Sequence, residues 1–479
     1  MAGLAPRIHP LVASFLRRRD LLDEVVARFG SPVHVVFPEV FAENVAAFRA
    51  LLDGYGFRYR ICYAHKVNQS RALVRAALRA GLGVDVASPG ELANALASGF
   101  TTDHIEVTGP KGDAFLRDLV THELTVNVDN LWELDRVACL AARQSGGHRA
   151  AVLLRMCGFG SSDRATPASR FGIPLAQATR ALELVRQRHD VLDFRGLSFH
   201  LDTNDVRDKV AAVDACLALV ERAYALGLTP RVLDVGGGFR QVFLADAGAF
   251  DDYLHALRRG LAGDGEPLTW AGHTFGYSYD GGAVRGIPVF HKYGNSTPGP
   301  EFLRELLDSP LDGHDGRTVA QVLADNLLEL WVEPGKALVD QAGLTLAGVE
   351  FVKEAADGSV LVNLDIARDT ITPADQEVMV DPAIVYRGAR QDYRHEPCGV
   401  YFAGNLCLER DMVSNHKIWL ERLPLPGDLV VFVNTAGYQM DLSASQALMR
   451  PRPPKLAAVR GGADFTVHPD AAYGVVGGG

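Results

Sequence analysis

From residue 33 to about residue 332 the chain alternates short β-branched runs with longer stretches of helical periodicity, which is typical of parallel α/β architecture. A first strand is predicted at Val33–Phe37. Eight further strands are predicted at Tyr59–Ala64, Gly83–Ala87, Ile105–Gly109, Leu124–Val128, Val152–Met156, Leu197–Leu201, Val232–Val235 and Leu328–Val332. Eight is the strand number of a closed (β/α)8 TIM-like barrel, although an open doubly wound sheet gives the same pattern.

Apolar residues at three- and four-residue spacing predict helices between these strands. Examples are Pro89–Ser98, Asn130–Arg143, Leu175–Arg188 and Asp208–Leu226. Beyond Pro334 the pattern changes to short strands separated by turns, which indicates an antiparallel β domain. Its predicted strands are Leu346–Phe351, Val360–Leu364, Gly399–Ala403 and Leu429–Val433.

These patterns predict three parts of the chain. Residues 1–37 form an N-terminal segment whose strand joins the β domain, residues 38–336 form the barrel, and residues 337–479 form the C-terminal β domain. Residues 240–326 are rich in Gly, Asp and Pro and are too long for one connection. We therefore expect a long insertion there, which is either a lid or an inserted subdomain.

Composition narrows the class of protein. A net charge of -10 disfavours nucleic acid or an anionic membrane as the main partner, and 48% apolar with 22% charged residues is typical of a globular chain. The six cysteines show no CxxC spacing, so neither a zinc site nor a disulfide framework is indicated. The chain has no signal-like start and no long apolar run, which predicts a cytoplasmic protein without a membrane partner.

Polar residues recur where the predicted strands end, which is where barrels collect functional groups. They are Lys66, Asp85, Ser88, Arg155, His200, Gly236–Gly238 and Glu333. Taken singly, the lysine can be a solvated charge, the histidine a core imidazole and the glycines a flexible turn. Together, an amine, an anion-binding glycine loop, a flat ring and a carboxylate are the groups that pyridoxal 5'-phosphate requires.

Several motifs occur in an order that resembles one family. They are Tyr63-Ala64-His65-Lys66, Gly83 to Ser88 with Glu91, Ser169-Arg170-Phe171-Gly172, Phe199-His200, Gly236 to Phe239, Glu333-Pro334-Gly335-Lys336, Cys407 with Asp411, and Ala436-Gly437-Tyr438. From about Val33 to Leu442 the chain resembles the fold-type III pyridoxal-phosphate decarboxylases, the group containing diaminopimelate, ornithine and arginine decarboxylases. The resemblance implies an alanine racemase-like fold, pyridoxal 5'-phosphate as cofactor and an amino acid as substrate.

The resemblance also implies roles for individual residues. Lys66 would form the internal aldimine, Glu333 would pair with the pyridinium nitrogen, and His200 would stack on the ring. Gly237, Gly238, Gly335 and Tyr438 would hold the cofactor phosphate. Other cofactor contacts would come from Asp85, Arg155, Thr203 and Lys336. The substrate region would include Cys407, Leu408, Asp411, Asp381 and Tyr386.

The implied assembly is a head-to-tail homodimer with shared active sites. The other subunit would contribute Cys407, whose thiol would protonate the quinonoid carbanion after CO₂ leaves.

Four departures from the family pattern bear on the substrate. Lys336 replaces an arginine, and Leu201-Asp202-Thr203-Asn204 replaces a Gly-Ser pair after the histidine. Leu408 stands where an acid commonly grips a distal ammonium, and Asp381 stands where an arginine is expected to bind a distal carboxylate. We therefore expect a decarboxylase whose substrate differs from meso-diaminopimelate.

Three other functions are compatible with these residues. One is a racemase or other Cα-carbanion enzyme that uses the same cofactor. Another is a non-catalytic homologue that keeps the dimer and binds or regulates partners. The third is a sugar-phosphate barrel enzyme in which Lys66 forms a Schiff base without a cofactor.

Overall fold

The computed structural model describes residues 3–144, 147–160, 169–203, 205–373 and 376–474. The chain divides into two units. The first contains Met1–Phe41, Arg240–Thr297 and Val339–Gly479, and the second contains Ala42–Phe239 and Pro298–Leu338.

The strands in chain order are β1 (Val33–Val36), β2 (Tyr59–Ala64), β3 (Gly83–Val86), β4 (Ile105–Val107), β5 (Thr125–Val128), β6 (Ala150–Cys157), β7 (Ile173–Pro174), β8 (Leu192–Ser198), β9 (Val232–Asp234), β10 (Ser278–Asp280), β11 (Ala283–Arg285), β12 (Glu329–Val332), β13 (Gly343–Glu354), β14 (Val360–Leu364), β15 (Ala383–Val385), β16 (Cys398–Ala403), β17 (Ile418–Leu420), β18 (Leu429–Val433), β19 (Lys455–Gly461) and β20 (Asp464–Pro469). The α-helices are α1 (Pro10–Leu16), α2 (Arg19–Phe29), α3 (Pro38–Leu52), α4 (Arg71–Arg79), α5 (Pro89–Ser98), α6 (Asp113–Thr121), α7 (Leu131–Ala141), α8 (Ala178–Gln187), α9 (Val206–Ala225), α10 (Gly248–Ala262), α11 (Gly299–Asp308) and α12 (Val319–Asp325).

The second unit is a closed barrel of eight parallel strands in the order β2, β3, β4, β5, β6, β8, β9 and β12. Pairing of β12 with β2 closes the ring, so the predicted barrel is confirmed and the open sheet is excluded. Most strand residues are buried, as expected where side chains fill the barrel interior and helices cover its outside. The sixth barrel strand is displaced from its prediction, because β8 ends at Ser198 and residues 199–201 lie beyond it.

Helix α5 begins close behind β3, and local capping explains why. Ser88 Oγ accepts a hydrogen bond from Glu91 N at 3.2 Å, and Glu91 Oε2 accepts one from Ala87 N at 2.7 Å. Pro89 occupies the first helical position, where its missing N–H costs nothing. This cap keeps the connection between β3 and α5 short, so that Asp85 stays at the end of the barrel.

The first unit contains a mixed sheet in the order β17, β16, β14, β13, β1, β19 and β20, with β18 paired to β13 and β15. The expectation of a purely antiparallel β domain is wrong at two places, because β1 pairs with β19 and β14 pairs with β16 in parallel. Parallel neighbours require long connections, which chain segments 37–454 and 365–397 provide. The N-terminal strand β1 lies inside this sheet, between β13 and β19.

The segment from 240 to 326, expected as one insertion, is divided by the structure. Residues 240–297 belong to the first unit, where Phe250, Tyr253 and Phe290 pack in a core that also includes Leu4 and Met379. Residues 298–338 belong to the second unit and contain α11 and α12. The insertion is therefore shorter than expected, because its last part supplies ordinary barrel helices.

None of the helices in the described ranges combines the length and apolar character needed to span a bilayer.

Candidate active site

Lys66 lies in a single 3-10 turn, His65–Val67, immediately after β2. Its Nζ is 3.7 Å from Asp85 Oδ2, and the lysine side chain is 36% exposed whereas Asp85 is buried. Thr108 Oγ1 donates to Asp85 Oδ1 at 2.6 Å. In the described part of the chain, Asp85 Oδ2 has no hydrogen-bond partner. The end of β2 therefore presents an accessible amine beside a carboxylate that is fixed from behind.

The three glycines after β9 form a loop that tolerates no side chains. Gly236 and Gly238 have φ values of +65° and +83°, in the left-handed region. A Cβ on Gly237 would lie 2.5 Å from Glu333 O, and one on Gly238 would collide with Leu201 O. The loop thus packs directly on the segments that carry the histidine and the glutamate.

His200 is tied to this loop, because its Nδ1 accepts a hydrogen bond from Gly237 N at 3.1 Å. Burial, with Lys66, Lys209 and Arg155 nearby, holds the pKa of His200 well below its usual value. The ring is therefore neutral, with its proton on Nε2. The Gly237 N–H, which the resemblance assigns to the phosphate, donates its hydrogen bond to His200 in this structure.

A buried lysine that sequence reasoning missed supports the loop from behind. Lys209 Nζ donates to Val235 O at 3.0 Å and to Gly237 O at 2.8 Å. It also lies 5.5 and 5.3 Å from the ring centroids of Phe199 and Phe239, within cation–π range. Burial lowers the pKa of Lys209 from 10.5 to about 8.

The sequence contained a signal for Lys209. It occupies the first position of a helical series with Ala212, Val213 and Cys216 at i+3, i+4 and i+7, all buried on one face of α9. A lysine in such a series must find acceptors inside the protein.

Three buried carboxyl groups meet inside the barrel. Oxygens of Glu106, Asp234 and Glu333 all lie within 4.8 Å of one another. Burial and mutual repulsion raise the pKa of each well above its usual value. Asn127 Nδ2 donates to Glu106 Oε1 at 2.9 Å, and Ser198 Oγ donates to Asn127 Oδ1 at 2.6 Å. The three carboxyl groups are therefore not all ionised at the same time.

Of these three acids, Glu333 alone was predicted. The signal for the other two is an acid within a short strand that is otherwise apolar, Ile105–Val107 for Glu106 and Val232–Val235 for Asp234. Periodicity shows that such residues are buried but does not show that they face each other.

These residues fit pyridoxal 5'-phosphate. Among the described residues, Asp85 Oδ2, Glu106 Oε2 and Asp234 Oδ2 are buried oxygens without hydrogen-bond partners. A ring nitrogen that carries a proton beside Glu333 would bring a positive charge and a donor into this excess of acceptors. The exposed amine of Lys66 and the glycine loop supply the other two kinds of contact that the cofactor needs.

Other predicted cofactor residues of the barrel have partners of their own. Arg155 Nη1 is 3.9 Å from Asp129 Oδ1, and its guanidinium lies 4.8 Å from the Phe171 ring centroid. Thr203 Oγ1 donates to Asp208 and accepts from Asp205 N at 3.1 Å, at the start of α9.

Two further predictions concern the turns beside the glycine loop. Lys336 Nζ pairs with Asp202 at 3.4 Å. A Cβ on Gly335 would lie 3.2 Å from Val67 Cβ, so that turn packs closely on the Lys66 segment. Asn204 lies outside the described residues.

The remaining predicted site residues belong to the first unit. Tyr438 has φ +75°, in a turn where a Cβ on the preceding Gly437 would collide with Gln241. Cys407 is an exposed free thiol, and the neighbouring Leu408 side chain is also exposed.

Asp411 shapes the Cys407 loop. Its Oδ2 accepts from Leu406 N at 2.6 Å and its Oδ1 accepts from Arg368 N at 2.7 Å. The buried carboxylate thus fixes the backbone just before the exposed thiol.

Asp381 and Tyr386 also have partners within the first unit. Asp381 Oδ2 accepts from Leu4 N at 2.7 Å, and burial raises the pKa of Asp381 to about 6. Tyr386 donates its hydroxyl to Arg422 O at 2.8 Å, and the Arg422 guanidinium lies 4.4 Å from the centroid of its ring.

Comparison with known proteins supports the cofactor. Residues 41–264 match the family described as pyridoxal-dependent decarboxylase, pyridoxal binding domain. An uncharacterized protein, y4yA, of Sinorhizobium fredii is 30% identical over 461 residues, which covers 95% of this chain and 94% of that protein. The diaminopimelate decarboxylase of Bacillus subtilis is 26% identical, with 92% of this chain and 89% of that enzyme covered.

Solved structures show the same fold. Diaminopimelate decarboxylase from M. jannaschii, in complex with L-lysine, superposes with a TM-score of 0.68 at 19% identity, covering 93% of this chain and 90% of that one. Lysine/ornithine decarboxylase from Vibrio vulnificus, in complex with putrescine, gives a TM-score of 0.64 at 20% identity, covering 91% of this chain and 97% of that one. The chain belongs to the fold-type III amino acid decarboxylases that depend on pyridoxal 5'-phosphate, which confirms the predicted family, fold and cofactor.

Proposed function

We propose that this enzyme decarboxylates an α-amino acid other than meso-diaminopimelate, with Lys66 as the amine that holds the cofactor and Cys407 as the proton donor. One observation carries the proposal. The Nζ of the partly exposed Lys66 side chain lies 3.7 Å from the buried Asp85 at the end of a barrel that also holds the buried acids Glu106, Asp234 and Glu333.

When bound, pyridoxal 5'-phosphate supplies the sink for the electron pair that the departing CO₂ leaves at Cα. Asp85, 3.7 Å from Lys66 Nζ, orients the lysine side chain at the end of β2. Glu333 would hold a proton on the ring nitrogen of the bound cofactor and so keep its ring positively charged. His200, neutral and bonded to Gly237, presents a flat ring without adding a charge.

The carbon that loses CO₂ must then gain a proton. Cys407 is exposed on a loop that Asp411 fixes, and a thiol is a suitable general acid for a carbanion. We assign this role to Cys407 of the partner subunit in a head-to-tail homodimer, as the family resemblance implies. Each site would then combine one subunit's barrel with the other subunit's loop.

The substrate's far end should differ from that of meso-diaminopimelate. Leu408 offers no charge to a distal ammonium, and Asp381 would repel a distal carboxylate. Asp381 is moreover bonded to the backbone of Leu4, which supports a structural task for this side chain. We therefore expect a substrate other than those for which the diaminopimelate and lysine/ornithine decarboxylase relatives are named.

A screen of L- and D-amino acids for CO₂ release by cofactor-loaded protein tests the activity. We expect release from at least one α-amino acid and little from meso-diaminopimelate. Efficient turnover of meso-diaminopimelate would refute the substrate assignment. Change of chirality without loss of mass would instead indicate a racemase.

The roles of Lys66 and Cys407 can be tested with two inactive variants. Borohydride reduction should attach the cofactor covalently to the wild type at Lys66, and Lys66→Ala should abolish that mass increase. Mixing Lys66→Ala with Cys407→Ala should restore about a quarter of wild-type activity, because half the dimers then contain one complete site. Failure of the mixture to regain activity, with dimer exchange verified, would contradict the shared site.

A further inference from the structure

The side chains of Asp202 and Lys336 form an ion pair beside the glycine loop. Lys336 Nζ lies 3.4 Å from Oδ1 and 3.5 Å from Oδ2 of Asp202, so both carboxylate oxygens face the amine. The lysine side chain is 16% exposed and the aspartate side chain 39% exposed. Partial burial of the lysine limits the screening of this pair by solvent.

The pair lies directly against the loop. A Cβ on Gly238 would collide with Leu201 O and would lie 3.4 Å from Asp202 Cα. The backbone that carries Asp202 therefore packs on the third glycine. Lys336 belongs to the turn after β12, so the ion pair joins the loops that follow β8 and β12.

An aspartate is an unexpected neighbour for an anion-binding loop. A phosphate on the loop and the Asp202 carboxylate are both negative, so both would be attracted to the ammonium group of Lys336, which pairs with Asp202 in this structure. The lysine at position 336 and the aspartate at position 202, which both depart from the family pattern, thus interact with each other. Lysine, unlike arginine, has one point charge to share and no second pair of donors for another partner.

We propose that Asp202 competes with the cofactor phosphate for Lys336, and that this competition sets how tightly the phosphate end is held. The inference rests on the proposed function, together with the family resemblance, which implies that the glycine loop and the positive charge of Lys336 face the phosphate of the bound cofactor. In the absence of phosphate the pair closes, and binding of phosphate requires the ammonium to leave or share its partner.

The competition predicts a specific pattern of affinities. Asp202→Asn keeps the size of the side chain but removes its charge, which should tighten pyridoxal 5'-phosphate binding roughly three- to tenfold. It should leave the affinity for pyridoxal, which lacks the phosphate, unchanged. Lys336→Met should weaken pyridoxal 5'-phosphate binding about tenfold, and Asp202→Asn should then tighten it much less in that background.

The experiment measures the dissociation constants of pyridoxal 5'-phosphate and pyridoxal by absorbance titration of the full-length protein. The set comprises wild type, both single variants and the double variant, each checked by circular dichroism. Asp118→Asn is the matched control, since it removes the same charge from an exposed position on α6. Inorganic phosphate, titrated as a competitor, should gain affinity in Asp202→Asn by a similar factor.

Three results would overturn the competition. They are an unchanged affinity for pyridoxal 5'-phosphate in Asp202→Asn, an equal change for pyridoxal, or an equal effect of Asp202→Asn with and without Lys336. A different result would count against the proposed function itself, namely failure of either aldehyde to be fixed on Lys66 of the wild type by borohydride. The two failures are therefore distinguishable.

Discussion

Replacing Lys209 with methionine tests the buried amine behind the glycine loop. Its Nζ donates to the carbonyls of Val235 and Gly237 from a position that solvent does not reach. Methionine has a similar volume but neither donates nor carries charge. It leaves two buried carbonyls without this donor, and each unsatisfied group costs about 1–3 kcal/mol.

The pH dependence of the free energy of unfolding gives a more specific test of Lys209 than the overall loss of stability. Burial lowers the pKa of Lys209 from 10.5 to about 8, so between these values the unfolded chain holds a proton that the folded chain has released. The free energy of unfolding contributed by this group therefore rises with pH across that window. A difference of about 2.5 pH units corresponds to about 3 kcal/mol, since each unit is worth about 1.36 kcal/mol. The penalty is fully present below about pH 8 and is lost by about pH 10.5.

The assay is urea unfolding of the cofactor-free wild type and Lys209→Met from about pH 7.5 to about pH 10.5. The stability of the wild type relative to the variant should rise by about 3 kcal/mol across this range. Lys209→Arg keeps the donors but stays protonated, so it too should lack the rise. Lys353→Met, at an exposed strand position, is the control and should leave the difference flat. A difference independent of pH for Lys209→Met would refute the reasoning.

Three further perturbations test the loop, the carboxyl cluster and a helix cap. Gly237→Ala should weaken binding of pyridoxal 5'-phosphate and lower the melting temperature, because the added Cβ would lie 2.5 Å from Glu333 O. Gly461→Ala is the control and should change neither quantity, because a Cβ there meets no atom within 4 Å. As pH rises above about 4.5, Glu106→Gln should lose less stability than the wild type in unfolding experiments. The reason is that the folded wild type holds a proton on its carboxyl cluster that the unfolded chain releases. Equal losses in the two proteins would exclude a shared proton in the cluster. Ser88→Ala should cost about 1 kcal/mol in denaturant unfolding and Ser88→Thr much less, whereas equal costs would show that the hydroxyl does not cap α5.

The sequence pattern predicted the features that depend on residues close together along the chain. Apolar runs indicated the eight barrel strands, although the sixth lies earlier in the chain than predicted, and α5 begins at the proline where its serine cap predicted it. The amine at Lys66 and the glycines after β9 were visible because loops after parallel strands collect at one end of a barrel. These properties need no knowledge of which strands pair.

Features that depend on distant segments were not predictable in this way. Glu106 and Asp234 lie on two different strands and Glu333 directly follows a third, and only closure of the barrel brings their oxygens within 4.8 Å of one another. The pairing of Asp202 with Lys336 joins residues 134 positions apart. Both depend on the order and register of strands, on which periodicity within one strand carries no information.

By itself the sequence determined the alternation of strands and helices, the closed barrel as the favoured fold, and the lysine, glycines and glutamate that indicate the cofactor. Tertiary structure decided the parallel pairs in the β domain, the division of residues 240–326 between two units, and the buried partners of Lys209 and Glu333. The physical reason is that hydrophobic periodicity reports which side of an element is buried. What that side is buried against is decided by packing between segments far apart in the chain.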